Sequence, residues 1–117
     1  MKLVTMLLFV LILQPINTLQ AHAVITETSL KVDNIPANQL KKVELQFNSQ
    51  IELGLSRVFL VSQGDKQMSL GFSAGKQAGQ LVIEIPPLTA GKYALRINVF
   101  AADGHLTEEL VRFSVTP

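Results

Sequence analysis

Tyr93-Ala94-Leu95-Arg96-Ile97-Asn98-Val99 alternates large apolar side chains with small or polar ones. Successive side chains of a β-strand point to opposite faces, so a period of two marks a strand with one buried face. Gly91 precedes this run, and a second alternating run, Leu110-Val111-Arg112-Phe113-Ser114-Val115, closes the chain. Asp103-Gly104 lies between them, a pairing of residues that favours a turn. The two runs therefore predict long neighbouring strands joined by a short loop. Working upstream, Val43-Glu44-Leu45-Gln46-Phe47 alternates in the same way, and Leu81-Val82-Ile83-Glu84-Ile85 is halted by Pro86-Pro87. Val58-Phe59-Leu60-Val61 is apolar without interruption, which suits a central strand. A turn at Gly64-Asp65-Lys66 leads to a further short strand around residues 68–72, and a first strand is expected near residues 24–28. About seven short strands with turn signals every 8–12 residues predict an all-β fold, an immunoglobulin-like Greek-key β-sandwich or barrel. The cysteine pair and tryptophan of antibody domains are absent.

The amino end has a different character. Lys2 precedes an uncharged, almost wholly apolar stretch over residues 3–13, and Pro15 and Asn17 follow. That pattern predicts a secretory signal over residues 1–21, too short for a lasting membrane anchor. Cleavage after Ala21 would expose His22 as the first residue of a domain spanning 22–117. The A-x-A pattern of Ala21-His22-Ala23 also permits a cut that discards His22. Lys2 falls in the leader, which leaves nine basic against nine acidic side chains. Balanced charge, few aromatics and no basic cluster exclude a nucleic-acid partner. With no cysteine, disulfides, zinc–thiolate sites and thiol catalysis are excluded.

The chain has two histidines, His22 and His105. One falls at the expected mature amino terminus and the other two residues beyond Asp103. An amino-terminal histidine offers its α-amine and its imidazole. With the His105 ring and an Asp103 oxygen, the set is three nitrogens and one oxygen, suited to tetragonal Cu(II). The plainer reading is that Asp103-Gly104 makes a hairpin turn and His105 is a solvated turn residue. Met68 is the sole methionine beyond the leader and is expected to fill a gap in the core. Glu108 and Glu109 are expected to be ordinary exposed strand residues. No G-x-S-x-G and no phosphate loop occur.

His22-Ala23 at a signal cut, the Val43–Phe47 strand, Gly91-Lys92-Tyr93, Ala102-Asp103-Gly104-His105 and the closing Phe113-Ser114-Val115 resemble the CopC copper-resistance family. The resemblance implies a periplasmic seven-stranded immunoglobulin-like domain that is not an enzyme. It implies Cu(II) bound by His22, Asp103 and His105, for sequestration, copper resistance or delivery to an inner-membrane copper transporter or another cuproprotein. It also favours the cut after Ala21. Two departures stand out. The glutamate that family members often carry after the Leu-x-Phe strand is missing, since Phe47 is followed by Asn48-Ser49-Gln50. The methionine-rich Cu(I) loop of some members is missing as well. The rival readings are a metal-free immunoglobulin-like interaction module of the envelope and, more remotely, a copper enzyme with a histidine brace. The latter needs an aromatic substrate-binding face that this sequence does not offer.

Overall fold

The computed structural model describes residues 23–29 and 35–117; the expected leader and His22 lie outside the described residues. Two β-sheets face each other. The first has the order β1 (Ile25–Thr28), β3 (Lys41–Phe47), β7 (Gln80–Ile85), β6 (Phe72–Ala74). The second has the order β2 (Ile35–Pro36), β9 (Leu106–Thr116), β8 (Gly91–Phe100), β4 (Arg57–Ser62), β5 (Lys66–Ser69). All neighbours are antiparallel except β2, which runs parallel to β9 through Ile35↔Val115 and Pro36↔Thr116. A four-stranded sheet packed on a five-stranded one, nearly all antiparallel, is a Greek-key-like sandwich of the immunoglobulin type, so the expected fold class holds.

The alternation read from the sequence is the burial pattern observed. Leu95, Ile97 and Val99 of β8, Val43, Leu45 and Phe47 of β3, and Leu81, Ile83 and Ile85 of β7 all point into one buried cluster. Each such side chain is worth about 1.5–3 kcal/mol of burial, and this apolar layer is what joins the sheets in a domain without disulfides. Tyr93 stacks on Phe113 at a centroid distance of 5.8 Å, and its hydroxyl donates to the carbonyl of Thr89 at 2.7 Å.

Three expectations need correction. The single strand expected around residues 68–72 is two strands in different sheets. The chain leaves β5, crosses at Leu70-Gly71 and enters β6. Leu70 is buried and its N–H donates to Val58 at 2.9 Å, so the crossing point is itself tied down. With β2 added, the described residues hold nine strands instead of about seven. Met68 is also not a core residue: it lies on edge strand β5, opposite Leu60, and is 47% exposed.

Candidate metal centre

The β8–β9 hairpin pairs without a break from Gly91↔Val115 to Phe100↔Leu106. Residues 101–105 form its loop. The Ala101 N–H donates to the His105 carbonyl at 3.0 Å and the Gly104 N–H to the Ala101 carbonyl at 2.9 Å, which closes the turn. Gly104 has φ +88°, in the left-handed region where a Cβ is strained. A side chain there would meet nothing within 4 Å, so the backbone and not space calls for glycine.

Asp103 grips His105 twice. Its Oδ1 accepts from the His105 backbone N–H at 3.1 Å, and its Oδ2 lies 2.9 Å from His105 Nδ1. Hydrogen bonds from the imidazole, then from the backbone N–H, hold the Asp103 carboxyl below its ordinary value. An ionised carboxylate accepts, so a neutral imidazole places its proton on Nδ1 and its lone pair on Nε2. The ring is thereby oriented with Nε2 directed away from Asp103, the arrangement in which a carboxylate partner commonly orients histidine ligands. Both side chains are partly exposed, which leaves the corner open to an ion from solvent.

The amino-terminal strand reaches the same pole. Ala23 is fully buried, and the Val24 N–H donates to Asn48 Oδ1 at 2.9 Å while the Asn48 N–H returns to the Val24 carbonyl at 3.0 Å. Two residues further on, the Gln50 carbonyl accepts from the Ala102 N–H at 3.0 Å, Ile51 bridges Ala101, and the Glu52 N–H donates to the Phe100 carbonyl at 2.8 Å. The 48–52 segment is thus a strap that holds the start of the described chain on one side and the base of the Asp-Gly-His loop on the other. Ala23 and Ala101 sit in the same buried cluster.

Sequence reasoning missed the parts of this strap. Asn48 carried a turn residue's signal, but its clamp on Val24 is a long-range contact. Ser56 carried no signal. It is fully buried, donates to the Glu52 carbonyl at 2.8 Å and accepts from the Phe100 N–H at 3.1 Å, and so fixes the end of β8. Ser49 has a buried hydroxyl with no hydrogen-bond partner. Glu108 and Glu109 lie along β9, opposite Asn98 and Ile97, and not on the loop. Among the described residues no three histidine, cysteine or carboxylate side chains gather, so Asp103 and His105 stand as a pair.

The sequence matches the CopC domain family over residues 25–116. The fold matches CopC from Methylosinus trichosporium OB3b with a TM-score of 0.68 and 23% identity, covering 82% of this chain and 95% of that one. It matches PcoC, a methionine-rich copper resistance protein from Escherichia coli, with a TM-score of 0.61 and 22% identity, covering 82% and 100%. No curated protein sequence matches significantly. The family match spans nearly the whole described sandwich and takes in both strands of the hairpin that carries Asp103 and His105: the chain belongs to the CopC domain family.

Proposed function

We propose that this chain is a non-enzymatic periplasmic protein that binds Cu(II), for sequestration, resistance or delivery to a membrane transporter or another cuproprotein. Export removes residues 1–21 and frees the His22 amine. The amine and ring of His22, a ring nitrogen of His105 and an oxygen of Asp103, released from its hold on the His105 ring, then form a mixed nitrogen and oxygen set of the kind Cu(II) takes in tetragonal geometry. The observation that supports this reading most directly is the 48–52 strap. It ties Val24 and Ala102 to one short segment, so the start of the described chain and the Asp-Gly-His loop share a pole, which supports a site built from the amino end and that loop. Family membership and the scarcity of soft ligands, with no cysteine and Met68 the sole methionine beyond the expected leader, support it further.

Metal donors must be deprotonated. Imidazoles and α-amines titrate between roughly pH 6 and 8, so Cu(II) affinity falls as pH drops through that range. The direct test is calorimetric titration of the processed protein with Cu(II), with electron paramagnetic resonance to read the donor atoms. His22→Ala, His105→Ala and a form with one extra residue ahead of His22 should each bind far more weakly. Full affinity in all three would overturn the reading. So would failure of the processed protein to retain copper at neutral pH, the result a metal-free interaction module predicts.

A further inference from the structure

The strand β4 is apolar on both faces, Val58 and Leu60 toward the core and Phe59 and Val61 away from it. A central strand of an antiparallel sheet that faces water on one side normally alternates. The register shows what shares the outward face. Phe59 lies beside Arg96, which lies beside Leu110; Arg57 lies beside Asn98 and then Glu108; Phe100 lies beside Leu106. Leu106 is 56% exposed and Leu110 41%. All three arginines of the chain, Arg57, Arg96 and Arg112, stand on this one face, together with Lys92 and against the single carboxylate Glu108. The outward face of the other sheet offers no such surplus: Lys42 lies opposite Glu84, and Glu44 opposite Val82.

We propose that the outward face of β4, β8 and β9 docks a protein partner that presents carboxylates around an apolar ridge. Three features carry this. Arginine and phenylalanine are enriched at protein interfaces, and the guanidinium fork recognises carboxylates with two parallel hydrogen bonds. The one ion pair on this face is loose and accessible: Arg96 Nε approaches Glu108 Oε1 only to 3.5 Å, and both side chains are partly exposed. Charge also selects the occupant. A second copy would bring the same surplus of cations over one carboxylate, a like-charged pairing, and an anionic lipid surface would meet the like charge of Glu108 on β9. The row Phe100–Leu106 immediately borders the 101–105 loop, so the partner would sit beside the metal corner. Its use in metal exchange rests on the copper reading, but the surface itself does not.

The test uses the purified, metal-free protein and two synthetic peptides, one alternating Glu with Leu and Phe, the other with Lys in place of every Glu. Titration followed by amide resonances should shift residues 57–61, 94–100 and 106–112 with the Glu peptide, at concentrations on the order of 1 mM or below, and not with the Lys peptide. Arg96→Gln with Arg112→Gln should weaken the Glu peptide about tenfold while circular dichroism stays unchanged. Leu106→Ser should weaken it as well. Equal shifts with both peptides, shifts located elsewhere, or no shift with the Glu peptide would overturn the proposal. Arginine-dependent binding to phosphatidylglycerol vesicles without peptide binding would reassign the face to lipid, and a concentration-dependent dimer through these strands would reassign it to a second copy. Cu(II) calorimetry on the double variant should match wild type, so loss of docking and loss of copper binding are read separately.

Discussion

Asp103 does two things for His105, and a single substitution separates them. An amide at position 103 can still accept from the His105 N–H, as Oδ1 does now at 3.1 Å, but it carries no charge to hold the ring through Nδ1. Asp103→Asn should therefore keep the turn and weaken Cu(II) binding by about 10–100-fold or more, since it removes the charged oxygen donor as well as the ring's partner, as measured by competition titration. The same variant reports on acid stability. Because the folded-state carboxyl is held below its ordinary value of 3.8, the charged form favours the native state. That contribution is fully present above about pH 4 and is lost as pH falls through the lowered value. Asp103 is solvent-exposed, so the effect is small. Urea unfolding of wild type and Asp103→Asn should show a gap at neutral pH that closes in acid; a gap that widens below pH 4 would contradict the assignment.

At the scale of elements, the sandwich was legible wherever one face of a strand is core and the other is not. Residues 93–99 and 110–115 announced β8 and β9 because their alternation is the burial pattern. Residues 68–72 were misread for a physical reason. Period two tells which face a side chain takes but not which sheet its strand joins, and the crossing at Leu70-Gly71 breaks no local rule. β2 was missed because two residues carry no period at all. The sequence named candidate residues, His22, Asp103 and His105, of which the described residues include the last two, but not the pole they share with the amino-terminal strand, since the strap that ties it is mostly backbone carbonyls and amides. One glycine exposes that strap to test. Gly79 has φ +78°, and a Cβ added there would lie 2.6 Å from the Ser49 carbonyl oxygen and 2.9 Å from that of Phe47. Backbone cannot step aside as a flexible side chain can. Gly79→Ala should cost about 2 kcal/mol or more in chemical unfolding, from left-handed strain plus the clash. It should also perturb the amide resonances of residues 47–50 and 101–105 together. A shift confined to the 75–80 loop would mean that the strap does not couple the two sides of the pole.

For the whole molecule, the proposed metal site has a position that the fold makes consequential. β1 belongs to the four-stranded sheet and the β8–β9 hairpin to the five-stranded sheet, and no disulfide joins them. The apolar layer and the backbone ties of the 48–52 strap resist their separation, in a domain whose net stability is expected to be only about 5–15 kcal/mol. An ion held between the amino end and the 101–105 loop would act as a cross-sheet tie at one pole. Binding to the native state alone stabilises by RT ln(1 + [L]/Kd), about 2.7 kcal/mol at a hundredfold excess over Kd. In a domain of this size each kcal/mol moves the melting midpoint by about 4–8 °C, so Cu(II) should raise Tm by roughly 10–20 °C. The gain should vanish in His22→Ala and in a form extended ahead of His22, because both remove the chelating amino end while leaving the sandwich core intact. Mg(II), a hard ion that prefers oxygen ligands, should give no shift. A copper-induced rise that survives loss of His22 would show that the ion binds elsewhere, and that the two sheets are not being joined at this pole.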